Sequence, residues 1–294
     1  MESRQLDDVD WADFDFLDMG SGIGGSLVEA ERLIGGRGIG IETNPSKVVE
    51  ARAKGLAVVE GDMFSVPDSV RLRYVVLNNV LEHLPDLETV RAALSKASRV
   101  AEEFVYIRHP SFEDEAYLAE LRLKQYWNDW HGHPSHILLS DFMRMFADMD
   151  LCGYVFQPVR KADDSEDPTI LPVEAPRDQH EYEPTHGPKP YVEFDKPVYE
   201  AFDIVALTAP GRVELRYRSH PDESLAQPFV SVTSMGHRLA KAEWERDTAV
   251  QNLERLRARR AVKIALVASK AAGPAFSGWR ALRKWGGSPP DTDT

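Results

Sequence analysis

Short apolar runs and helix-like segments follow one another in a regular order along this chain. Residues 14–18 form an apolar run ending in an acid, Asp18, which meets a turn with glycine at every second position: Gly20, Gly22 and Gly24. The next segment, SLVEAERLI, puts Leu27, Ala30, Leu33 and Ile34 on one helical face. Residues 37–45 read as a second strand ending in Glu42, and residues 56–64 as a third ending in Asp62. Residues 73–86 give a fourth strand that runs into a turn carrying Asn78, Asn79, Glu82 and His83. The stretch LETVRAALSKASRVA is a helix with Val90, Ala93, Leu94 and Ala97 inward, and residues 103–110 are a fifth strand. This alternation predicts an α/β fold, a Rossmann-like seven-stranded mostly parallel sheet with helices on both faces. Four strands then end in polar residues on one edge, where open α/β sheets bind ligands.

Beyond the fifth strand the pattern loosens. Residues 111–137 mix aromatics, acids and closely spaced histidines. LSDFMRMFADMDL then reads as a helix with Ser140 as its cap, and CGYVFQPV as a sixth strand. Residues 158–197 carry so many prolines that the pattern assigns them no regular structure, and YEAFDIVALTA is the last strand. Since the first strand begins about thirteen residues into the chain, a lid over the site has to come from 111–137 and 158–197. Residues 1–220 are read as one domain and 221–235 as a linker. Residues 236–273 are a long helix whose apolar repeat, Leu239, Ala242, Ala249, Leu253 and Leu256, fits either a helix folded on its own domain or a dimerising coiled coil over 236–260. Residues 274–294 form a basic tail, amphipathic or disordered.

Charge separates this end of the chain from the rest. From 255 to 290 there are nine basic residues and no acid, so the net charge of -13 conceals about -22 over the remainder. That acidity opposes nucleic-acid binding by the main domain. Basic residues interleaved with Trp279 and Trp285 are what a helix lying on an anionic membrane surface uses, which makes 261–285 a candidate membrane contact. The acidic N-terminus lacks the features of a signal peptide, and the single cysteine, Cys152, excludes an internal disulfide. Cytoplasmic residence is expected, peripheral on the inner membrane face if the tail engages lipid.

The glycine turn sets the chemistry. Glycine lets the backbone approach a ligand closely, and the amides at the following helix start favour an electron-rich group. The same letters spell both D-x-G-x-G-x-G and, through Gly20, Gly22 and Gly25, the dinucleotide pattern G-x-G-x-x-G. Asp18 separates them, because a carboxylate there repels a pyrophosphate but attracts a cationic amino-acid group. Taken in order, DMGSGIGG, GIGIE, EGDMF and VVLNNVLEHLPD resemble the motif set of class I S-adenosylmethionine (SAM)-dependent methyltransferases of the small-molecule type, over roughly residues 10–110. The resemblance implies SAM as cofactor. It implies that Asp18, Gly20, Gly22 and Gly24 hold the methionine part, Glu42 the ribose, and Asp62 with Met63 the adenine, with Asn78 closing the pocket.

On that reading the acceptor half needs a base, and histidine suits neutral pH. The candidates are His83, His133 and His136, in the turn after the fourth strand and in the cluster W-x-x-W-H-G-H-P-x-H. A metal on His131, His133 and His136 is not expected, since Gly132 and Pro134 break any helix that would align them. Trp127 and Trp130 either pack the lid or stack on the acceptor. The expected function is O-methylation of a sugar, glycolipid or other polar small molecule. The alternatives are an NAD(P)-dependent enzyme or a non-catalytic SAM-binding scaffold recruited through the helical tail.

Overall fold

The computed structural model describes Leu6 and residues 9–210; the linker 221–235, the helix 236–273 and the tail 274–294 lie outside the described residues. The main sheet has seven strands in the order β3-β2-β1-β4-β5-β9-β7. Its parallel half is β1 (Phe16–Met19), β2 (Gly38–Glu42), β3 (Val58–Glu60), β4 (Leu72–Asn78) and β5 (Ala101–Pro110). β9 (Glu193–Leu207) runs antiparallel between β5 and β7 (Gly153–Asp164), so one strand of seven is reversed. β1 is buried along its whole length, as a central strand covered on both faces must be.

Helices cover both faces, as the sequence pattern requires. α1 (Gly25–Leu33) and α2 (Pro45–Ala53) bury Leu27, Ala30, Val48 and Ala51 against one face. There Phe16, Tyr74 and Phe104 stack across three neighbouring strands, with ring centroids 4.5 and 4.9 Å apart. α3 (Leu87–Val100) and α5 (Leu139–Ala147) bury Val90, Ala93, Leu94, Ala97, Phe142, Met145 and Phe146 against the other. Each large apolar side chain buried this way contributes roughly 1.5–3 kcal/mol. Local chemistry sets the helix starts. Asn44 caps α2 ahead of Pro45, and the Asp86 carboxylate accepts the Thr89 amide at 2.8 Å to open α3.

Three expectations are corrected. The third strand stops at Glu60, and Asp62 instead caps the short turn of residues 63–65 by accepting the Phe64 amide. Ser140 lies inside α5, whose first turn is closed by the Asp141 carboxylate accepting the Leu138 amide. Residues 158–197 are not free of regular structure: β7 continues to Asp164, β8 (Ile170–Pro172) pairs with β6 (Leu123–Gln125), and β9 starts at Glu193. Pro158 is tolerated because β7 is the edge strand, where the missing amide need not cost a ladder bond. Around them, with α4 (Glu115–Glu120), Leu118, Leu123, Ala162, Ile170 and Val198 form a small separate core. α4, β6 and β8, with the adjoining parts of β7 and β9, therefore form a packed cap beside the main sheet. No helix among the described residues is long and apolar enough to cross a membrane.

Candidate functional site

The chain leaves β1 toward β2 and β3 on one side and returns to β4 on the other, so a crevice opens at the carboxyl ends of β1 and β4. The glycine turn is its floor. Gly20, Gly22 and Gly24 have φ of +80°, +55° and +90°, a region in which only glycine is unstrained. A Cβ on Gly20 would stand 2.4 Å from Val80 Cγ2, and one on Gly24 2.1 Å from Leu56 Cδ1; one on Gly22 meets nothing within 4 Å. Two glycines thus fit the turn to its surroundings, while the middle one faces open space.

Asp18 is fully buried beneath this turn. Its Oδ2 accepts the Ser26 hydroxyl at 2.5 Å, and its Oδ1 has no hydrogen-bond partner. Burial pushes its carboxyl up to about 7, with the Ser26 bond opposing and the nearby Glu42 charge adding to the rise. Glu42, also buried, accepts the Gly22 amide at 2.9 Å and the Asn44 amide at 2.8 Å, tying the turn to the start of α2. Asp62 is exposed, Met63 packs in the larger core, and Asn78 closes β4 with a buried Oδ1 that has no partner. The sequence-predicted residues Asp18, Gly22 and Glu42 therefore meet around one turn.

The other half of the crevice is a cavity of about 390 Å³. The turn after β4 supplies Asn79, Glu82 and His83; β5 supplies Arg108 and Pro110; the cap supplies Tyr126, Trp127, Trp130, His133, Val159 and His180; and Glu200 and Ala201 on β9 complete it. Most of the cap residues come from 111–137, with Val159 and His180 from 158–197. Trp127 is buried, its indole N–H donating to the Ser111 carbonyl at 2.7 Å. Half-buried Trp130 meets His180 at 4.5 Å between ring centroids, and Tyr126 meets the same ring at 4.6 Å. Arg108 is held by both oxygens of buried Asp203, at 2.7 and 2.9 Å, which raises its pKa further.

The histidine cluster of the sequence comes apart in space. His83 and His133 face each other at 4.8 Å between ring centroids. His136 instead stacks on Phe112 at 4.4 Å, binds Glu115 through Nδ1, and is not among the cavity residues. His131 turns away to Asp178. Burial holds His133 below the usual histidine range, favouring the neutral ring. Reading the sequence missed His180, Tyr126, Arg108 and Glu200, none of which carries a local motif.

No family model matches the sequence, and no curated protein matches it. Solved structures share the chain path at low identity. The magnesium protoporphyrin IX methyltransferase from Synechocystis PCC 6803 with bound SAM is 13% identical, with 69% of this chain and 73% of that chain covered and a TM-score of 0.39. A SAM-dependent methyltransferase from Archaeoglobus fulgidus is 16% identical over 65% and 85%, with a TM-score of 0.46. An amino pentose methyltransferase from Micromonospora echinaspora is 25% identical over 32% and 41%, with a TM-score of 0.28. These likenesses leave the activity to be argued from the site.

Proposed function

We propose that this chain is a SAM-dependent methyltransferase that methylates a hydroxyl of a sugar, glycolipid or other polar small molecule. The observation that carries the reading is the buried Asp18 carboxylate, with Oδ1 unpartnered, beneath a glycine turn whose middle residue faces open space. A cationic amino-acid group satisfies that oxygen, whereas a pyrophosphate would be repelled by it. Asp18 and the turn Gly20–Gly22–Gly24 would hold the methionine part of the cofactor, and Glu42 would position the turn and the ribose. Asp62 and Met63, in the turn just after β3, would meet the adenine, and Asn78, the last residue of β4, would close the pocket. When bound, SAM supplies an electrophilic methyl group.

The chain's own contribution is to bind and orient the acceptor. Tyr126, Trp130 and His180 present ring faces on which a sugar can stack, and Asn79, Arg108 and Glu200 offer polar edges for its hydroxyls. His133, whose burial favours the neutral ring, and His83 beside it would accept the hydroxyl proton. The acid-free basic stretch 255–290 supports an acceptor presented at an anionic membrane face. Calorimetry of the full chain with S-adenosylhomocysteine and with NADH tests the cofactor, and a labelled-methyl screen over cell-extract fractions, lipid-linked glycans included, tests the acceptor. Binding of NADH without S-adenosylhomocysteine would overturn the reading, as would transfer confined to protein or nucleic acid.

A further inference from the structure

The wall of the acceptor cavity brings together three side chains that the sequence keeps apart or assigns elsewhere. Glu82 and His83 sit on the short turn Leu81–His83 after β4, and His133 comes from the cap fifty residues later. One donor atom from each lies within 4.8 Å of the others. Glu82 is buried, 1% exposed, and its Oε2 has no hydrogen-bond partner. A carboxylate oxygen held dry with no hydrogen bond made to it costs free energy that a cation would offset.

The imidazoles are set as ligands are. His83 Nδ1 lies 2.6 Å from the Gly132 carbonyl and His133 Nδ1 lies 3.1 Å from the Trp127 carbonyl. A carbonyl only accepts, so each ring carries its proton on Nδ1 and leaves the Nε2 lone pair for a cation. That backbone bond at the far nitrogen is how proteins orient metal-binding histidines. Behind Glu82, buried His109 places Nδ1 3.4 Å from Glu82 Oε2, where an outer partner of a ligating carboxylate would stand.

We propose that Glu82, His83 and His133 form a binding site for a divalent transition-metal ion whose remaining coordination positions open into the acceptor cavity. Two imidazoles and one carboxylate suit first-row ions such as Mn²⁺ and Zn²⁺, whereas Mg²⁺ and Ca²⁺ favour all-oxygen sets. Ligand distances of about 2.0–2.2 Å would draw the three donors closer than they stand here. Exposed His83 can make that movement. The ion's part in catalysis rests on the methyltransferase reading, though its binding does not. With the ion bound, the Nε2 lone pairs of His83 and His133 are ligands and no longer bases, and a hydroxyl of the acceptor coordinated there would give up its proton to water instead. The oxygen then forms the new bond to the methyl carbon while the carbon–sulfur bond breaks and its electron pair stays on sulfur.

The test is calorimetric titration of the full chain, stripped with EDTA and dialysed, with MnCl₂ and separately with ZnCl₂. We expect one ion per chain. Binding should weaken at least a hundredfold in Glu82→Gln and in His133→Ala, and stay within threefold of the parent in His131→Ala and His136→Ala, whose rings lie outside the cluster. Circular dichroism checks each fold, and His83→Gln, changed at an exposed position, replaces any variant that unfolds. No stoichiometric binding, equal loss in the control variants, or parent-like binding by folded cluster variants would each overturn the proposal. Titration of the same samples with S-adenosylhomocysteine separates the two claims, since failure of either ligand leaves the other result standing.

Discussion

Gly20 and Gly22 lie two residues apart in one turn, yet alanine should affect them in opposite ways. At Gly20 a Cβ meets Val80 Cγ2 at 2.4 Å, and valine, branched at Cβ, has little rotamer freedom to withdraw. Left-handed backbone strain of about 1–2 kcal/mol and overpacking of about 1–3 kcal/mol predict that Gly20→Ala loses roughly 2–5 kcal/mol. At Gly22 a Cβ meets nothing within 4 Å, so only the strain of φ +55° remains. For a domain of this size 1 kcal/mol moves Tm by about 2–4 °C, so Gly22→Ala should melt only about 2–8 °C below the parent and Gly20→Ala clearly lower. Ligand binding should rank with Gly22. If its open side is where the cofactor lies, the added methyl occupies ligand space, and S-adenosylhomocysteine affinity should fall tenfold or more, about 1.4 kcal/mol. Differential scanning fluorimetry with calorimetry reads both. Parent-like S-adenosylhomocysteine affinity in folded Gly22→Ala, or a Gly20→Ala melting point no lower than that of Gly22→Ala, would refute the assignment of the open space.

Asp18 should make the ligand-free protein sensitive to pH. Its carboxyl is raised from 3.8 to about 7, so the folded state holds an extra proton between those values and stability should fall as pH rises across that window; Asp18→Asn should flatten the dependence in melts from pH 5 to 8. Cofactor binding should run the other way, since a cationic group favours the ionised acid: S-adenosylhomocysteine affinity should rise toward pH 8 in the parent but not in Asp18→Asn, and a flat parent profile would count against contact. Arg108→Met should cost about 3–5 kcal/mol by leaving buried Asp203 without its cation, a Tm loss of roughly 6–20 °C, and adding Asp203→Leu should recover most of it; unchanged melting would show the pair to be idle.

The parallel half of the sheet was legible because β1, β2 and β3 are short, mainly apolar runs with an acid at or next to the end, and β4 and β5 keep an apolar centre. Asp18, Glu42 and Asn78 are strand-end residues, so placing the strands placed them. The cap was not legible. Proline marks irregular backbone only where an amide is needed, and Pro158 lies on an edge strand that can forgo one. His131, His133 and His136 look like one cluster by spacing. A turn at 130–133, closed by the His133 amide donating to the Trp130 carbonyl, and the ring of Phe112 send them to three different surroundings. The neighbour His133 does acquire, Glu82, is separated from it by the whole of α3, β5, α4 and β6, and no local pattern could have joined them.

Buried acids are treated differently in different parts of this molecule. Asp203 is paired with Arg108 and also accepts the Tyr106 hydroxyl, and Asp114, buried just before α4, takes Lys196 at 2.7 Å. In those places the chain meets the desolvation of a carboxylate with a cation of its own. The three buried acids at the carboxyl ends of β1, β2 and β4 have no such partner. Asp18 has a serine hydroxyl, Glu42 has backbone amides, and Glu82 has only the ring of His109 at 3.4 Å. An edge that gathers three buried carboxylates and pairs none of them with lysine or arginine is suited to ligands that bring positive charge. On the proposed reading, a cofactor with ammonium and sulfonium groups would meet that demand at the glycine turn, and a divalent ion would meet it at Glu82. The same argument turns away a pyrophosphate cofactor at the glycine turn, where its negative charge would meet the Asp18 and Glu42 carboxylates, neither paired with a lysine or arginine.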